Sequence, residues 1–124
     1  MTKIFLEIAS ILGGISVVLG AFASHSLKGR LSESALAIWE TGTKYQMYHA
    51  LALFLTALLL HRLPNSTPLI VAGYAFTAGV LVFSGSLYAL SLSGVKWFGA
   101  ITPLGGVALI IGWISLAVAA WGIE

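Results

Sequence analysis

The sequence predicts an all-α, polytopic membrane protein: a bundle of four transmembrane helices with a short amphipathic helix between the first and second spans. Three observations predict it. The 124 residues are 59% hydrophobic and only 8% charged, with a mean hydropathy of +1.01, whereas a soluble domain carries about 25% charged residues. Four apolar segments answer to the roughly 20 residues that cross a bilayer. Short connections with prolines, glycines and charges separate them. The whole chain, 1–124, reads as one membrane domain.

The first span covers about 4–24. Lys3, the apolar run and Ala21-Phe22-Ala23 imitate a signal peptide with its cleavage site, but Glu7 interrupts the run, and the segment is read as a retained helix. The second span covers about 45–60, and its helical pattern continues upstream. Over 32–43, Leu31, Ala35, Ile38 and Trp39 recur at helical spacing, with Ser32 or Ser34 as cap and Glu33 at the positive end of the helix. That pattern fits an amphipathic helix at the membrane surface with Trp39 at headgroup level. It equally fits a plain extension of span two. The third span covers about 69–92, after the turn His61–Pro68. The fourth covers about 98–121, with Pro103 expected to kink it and Thr102 to satisfy a freed carbonyl.

Basic residues in short loops orient such a chain. Lys28, Arg30, Lys44 and Lys96 fall on the side of loops one and three, against Lys3 and Arg62 on the side of the termini. Loops one and three are therefore expected in the cytoplasm and both termini outside.

Helices associate in lipid where small residues let backbones approach. Gly13, Gly20, Gly85, Gly105 and Gly112 are the expected packing positions. Leu12-Gly13-Gly14 with Gly20 recurs as Leu104-Gly105-Gly106 with Gly112, which suggests spans one and four packed about a pseudo-twofold axis. Chance recurrence of abundant residues explains the echo as well.

Polar residues inside spans point to function, because they are unfavourable in lipid. His25, Lys44, Tyr45, Gln46, His49, Ser84, Ser86, Tyr88 and Thr102 all fall toward the loop-one and loop-three end by these boundaries. They form a candidate polar cluster: a hydrogen-bonded network between helices, or a lipid-headgroup site helped by the nearby cations. The spacing does not suit a metal or haem, lacking an HxxxH pair or a deep carboxylate. A serine–histidine nucleophile lacks its orienting acid. With no cysteine and a net charge of +2, thiolate chemistry is excluded, and a nucleic-acid partner is not expected. No cofactor and no enzymatic activity are expected.

On these residues the chain resembles the YgdD-like family of small bacterial membrane proteins, a domain of unknown function with short transmembrane relatives in eukaryotes. The resemblance runs through Gly20 to Leu27 (GAFASHSL), Trp39 to Leu53 (WETGTKYQMYHALAL), Phe83 to Tyr88 (FSGSLY), Ile101 to Gly106 (ITPLGG) and Gly112-Trp113. It implies four spans in the bacterial inner membrane and brings no reaction with it. The resulting expectation is a structural or accessory membrane component, alone, as a homo-oligomer or in a larger complex, in contact with lipids. A small oligomeric transporter or channel is the alternative.

Overall fold

The computed structural model describes residues 1–123 and consists of helices joined by short turns. Helix α1 runs Thr2–Phe22 and passes into one π-helical turn, Ala23–Leu27. After a bend at Lys28–Leu31, α2 runs Glu33–Arg62, followed by α3, Thr67–Ser93, and α4, Lys96–Trp121. Three helical stretches are long and apolar enough to cross a membrane: Thr2–Leu27, Thr67–Ser93 and Lys96–Trp121. The fourth helix, α2, is the longest but carries Glu33, Glu40, Lys44 and Gln46 in its first half.

Local chemistry sets the boundaries. Ser32 takes extended backbone and its hydroxyl accepts from the Ala35 N–H at 3.1 Å, capping α2, with Glu33 in the first turn. Pro68 occupies the first turn of α3, where its missing donor leaves no helical bond unmade. Gly94 ends α3 in the left-handed region, at φ 69°, which glycine adopts without strain. Pro103 sits inside α4 without ending it. The Thr102 hydroxyl reaches the Phe98 carbonyl at 3.3 Å, not that of Gly99, the carbonyl that Pro103 deprives of its helical donor.

Helices α1 to α4 pack in chain order, each antiparallel to the next: α1 on α2, α2 on α3, α3 on α4. One core joins Phe5 and Ala9 of α1, Leu53, Ala57 and Leu60 of α2, Leu69 and Phe76 of α3, and Leu109 of α4. A smaller core at the other end holds Ala23, Leu27 and Trp39. Close approaches rest on glycine. A Cβ at Gly105 would fall on the Phe83 backbone, one at Gly112 on the Phe76 ring, one at Gly79 on Leu109, and one at Gly73 on the Phe5 ring.

Three expectations are corrected here. First, residues 32–43 are not a separate amphipathic helix. They are the opening turns of α2, and Trp39 is buried, its indole N–H donating to the Leu19 carbonyl at 3.0 Å. A surface position would forfeit that bond and the contacts with Phe22 and Tyr88. Second, α1 and α4 do not pack together about an axis, because α2 and α3 lie between them. Third, Gly20 and Gly85 face open space and Gly13 stands only at ordinary distance, 3.9 Å, from Ala50. Spacing along one helix names a stripe of small residues but not the neighbour that approaches it.

Candidate functional site

Of the side chains expected to cluster toward one end of the bundle, His25, Ser86, Tyr88 and Thr102 lie there, whereas those on α2 lie deeper. Because α2 begins at Glu33, Lys44 stands about 16 Å along a helix about 45 Å long. Pairings across helices fix its level. Thr43 meets Ser16 about two-thirds of the way along α1, Gly42 meets Ser84 in α3, and His49 meets Trp113 in α4. Lys44, Tyr45 and Gln46 therefore sit more than a third of the way along α2, and His49 sits at its middle. The position near an end is corrected. Its cause was a start for span two at residue 45, where the hydropathy rises, instead of at Glu33, where the hydrogen bonding starts.

Most of the buried polar side chains act as clamps between helices. The Gln46 amide donates to the Leu12 carbonyl at 2.8 Å and accepts from the Tyr88 hydroxyl at 2.6 Å, tying α1, α2 and α3 at one level. Ser16 donates to the Thr43 carbonyl, Ser84 to the Gly42 carbonyl at 2.7 Å, and Ser91 to the Ala35 carbonyl at 2.6 Å. Ser86 and Thr102 share a hydrogen bond between α3 and α4 at 2.6 Å. Gly42 makes the α2–α3 clamp achievable, since the Tyr88 ring occupies the place its Cβ would take. Every fully buried side-chain nitrogen and oxygen among the described residues has a partner.

His49 is committed at both nitrogens. Its Nε2 accepts from the Trp113 indole N–H at 3.1 Å, so Nε2 carries the lone pair, and Nδ1 donates to the Tyr45 carbonyl at 2.7 Å. The Tyr45 ring stacks on the imidazole at 5.9 Å. Neither nitrogen is left for a ligand or a substrate. Tyr45 itself is 39% exposed, and His25 and Lys44 are exposed and join none of these bonds.

Beside His49 a groove of about 490 Å³ opens between α2, α3 and α4, lined by Tyr45, Tyr48, His49, Phe83, Gly106, Leu109, Ile110 and Trp113. Its size is that of a small-molecule site and its lining is mostly apolar and aromatic. Among the described residues no three histidine, cysteine or acidic side chains gather as a metal site would require. Glu124, the last carboxylate, lies outside the described residues.

Several participants were not legible beforehand. Ser16, Gly42 and Trp113 are not among the candidate cluster residues named from the sequence. The one signal available was spacing: Trp39, Gly42, Gln46 and His49 recur three and four apart on the face of α2 that meets its neighbours.

The sequence profile described as "Protein of unknown function (DUF423)" matches residues 19–106, a stretch holding both ends of the Gln46–Tyr88, Ser84–Gly42, Ser91–Ala35 and Ser86–Thr102 bonds. The chain belongs to the DUF423 family. Its similarity to curated relatives runs along nearly the whole chain. It is 47% identical over 118 residues to the UPF0382 membrane protein YwdK of Bacillus subtilis, covering 95% of this chain and 96% of that protein. It is 43% identical over 119 residues to a UPF0382 membrane protein of Staphylococcus aureus, and 43% over the same length to one of Staphylococcus epidermidis, covering 94% of each chain in both cases. No solved structure matches. This DUF423 chain is thus one of a group of small bacterial membrane proteins, and the helix-to-carbonyl clamps are the site its fold builds.

Proposed function

We propose that this DUF423 protein is a four-span, non-enzymatic component of the bacterial plasma membrane, structural or accessory to a larger complex, whose polar core locks its helices together. One observation carries the reading: Gln46, Ser16, Ser84 and Ser91 each bond a backbone carbonyl of a neighbouring helix. Such bonds hold helices in lipid, where hydrophobic force between them is absent. The fourth span is α2. Its polar half lies between neighbours that accept its bonds, so it does not need the apolar surface of a lone span. The chain then crosses once per helix, as its short turns require.

Loops Lys28–Ser32 and Gly94–Val95 face the cytoplasm in this reading, with both termini outside. With Lys44 inside a helix, the supporting basic residues are Lys28, Arg30 and Lys96 against Lys3 and Arg62. The groove beside His49 opens sideways between helices and suits an acyl chain better than a headgroup, which stays at the interface. A transporter or channel is the second reading, favoured by Glu40 and Lys44, which are exposed in the first half of α2.

Purification in gentle detergent, followed by reconstitution into liposomes, tests the choice. The accessory reading expects a stably folded protein that co-purifies with lipid or a stoichiometric membrane partner and adds no ion or solute flux. Flux above that of protein-free liposomes, abolished by Lys44→Gln, overturns it in favour of transport.

A further inference from the structure

We propose that the groove beside His49 holds the ring of a lipid-soluble quinone, with the Tyr45 and Tyr48 hydroxyls donating to its carbonyl oxygens. The proposal rests on the membrane placement above and names the ligand class of one groove. It is a proposal of binding, without turnover.

The walls of the groove are rings. Tyr45 lies 4.7 Å from Phe83 and 5.9 Å from His49, and the Trp113 indole stands edge-on to the imidazole at 5.9 Å. Such faces and edges suit a flat ring better than a flexible chain. They are also fixed in advance, because His49 bonds at both nitrogens and Trp113 is one of its partners. Gly106 adds no side chain to the lining, and a Cβ there would stand at ordinary contact distance, 3.8 Å, from the Phe83 ring. At about 490 Å³ the groove accommodates a small ring and the start of its tail.

Two polar groups in the lining lack partners. Among the described residues the Tyr45 and Tyr48 hydroxyls form no hydrogen bond, although Ser16, Gln46, His49, Ser84 and Tyr88 around them all do. Tyr48 lies about 20 Å of helix from either end of α2, and Tyr45 is one turn nearer its start. A hydroxyl left unbonded in hydrocarbon is unfavourable. Each hydroxyl therefore calls for an acceptor that dissolves in the membrane core.

That requirement selects the ligand. A phospholipid carries its acceptors near the interface, and its acyl chains would fill the apolar length of the groove while leaving both hydroxyls unbonded. A quinone combines a flat ring, carbonyl acceptors and an apolar tail, and it needs no charged partner. The groove offers none.

Menadione is a suitable probe, because the native chain has no cysteine for it to alkylate and Trp113 in the lining reports its arrival by quenching. With the purified protein in detergent, saturable quenching of tryptophan fluorescence is expected. Gly106→Leu, which fills the groove, should abolish the saturable part. Tyr48→Phe, an exposed position, should weaken binding about 3- to 10-fold with an unchanged melting temperature, as should Tyr45→Phe. Methylnaphthalene, which has the ring without the oxygens, should compete at least about tenfold more weakly than menadione. Quenching that is equal in the native protein and Gly106→Leu overturns the site. Native affinity in both tyrosine variants, or methylnaphthalene competing as well as menadione, overturns the quinone. Oleate displacing menadione at equal concentration overturns it in favour of an acyl chain. The tyrosine variants decide alone if Gly106→Leu does not fold. Impermeant labelling of Asn65→Cys and Ser93→Cys in membranes separates the two readings. Labels from opposite sides without saturable binding refute the site alone, and labels from one side refute the membrane placement beneath it.

Discussion

The Tyr88 hydroxyl donates to the Gln46 amide oxygen at 2.6 Å while the amide nitrogen of the same residue donates to the Leu12 carbonyl. Two side chains thereby join three helices at one level. Removing either end strands a polar group inside the bundle. Gln46→Leu is expected to lower stability by about 1–3 kcal/mol, the range for a buried group that loses its partner. Tyr88→Phe should weaken the fold less, and a double-mutant cycle should give a coupling of about 0.6–1.7 kcal/mol, as for other hydrogen bonds between membrane helices. Thermal denaturation in detergent measures all three variants, and additive single effects would show that the bond contributes nothing.

Glycines of the same spacing should respond with opposite sign. Gly105 abuts the Phe83 backbone, which cannot rotate away, so Gly105→Ala is expected to overpack the α3–α4 contact at about 1–3 kcal/mol. Gly20 faces open space within α1. There Gly20→Ala should raise stability by about 0.5–1 kcal/mol, because alanine loses less backbone freedom in a helix. Melting temperatures that fall for both variants would disprove the assignment of Gly20.

His49 holds α4 to α2 through Trp113. His49→Leu keeps the apolar volume but leaves the indole N–H with no acceptor, and should destabilise the protein by about 1–3 kcal/mol. Trp113→Phe removes the donor instead and leaves the buried His49 Nε2 unpaired, so it too should destabilise the protein. A His49→Leu variant that melts with the native protein would show that the Trp113 bond is dispensable.

Topology can be read in intact cells. A cysteine at Asn65, in the turn between α2 and α3, is expected to react with an impermeant reagent, while one at Ser93, at the end of α3, is not. The reverse pattern inverts the orientation. Reaction at both positions is incompatible with α3 as a span.

Composition and hydropathy alone decided the class of this protein, its all-helical content and the approximate limits of α1, α3 and α4, because apolar residues in bulk have no other stable place than lipid. The identity of the polar residues was legible too: Gln46, His49, Ser84, Ser86, Tyr88 and Thr102 are conspicuous in apolar surroundings. Their depth and their partners were not. Hydropathy registers where α2 becomes apolar, near Tyr45, and is blind to the hydrogen bonds that start the helix after Ser32. That difference of three turns moves Lys44 and Gln46 inward from the end of the bundle and His49 to the middle of α2.

What the tertiary structure alone decided was which helix meets which, and therefore what each small or polar residue does. Gly13 and Gly105 share a local sequence, yet only Gly105 lies against a backbone, since α4 packs on α3 while α1 packs on α2. The acceptors of Gln46, Ser16, Ser84 and Ser91 are carbonyls on other helices. A backbone carbonyl is present at every residue and so leaves no mark in a sequence, and only the register between helices selects the one that is used.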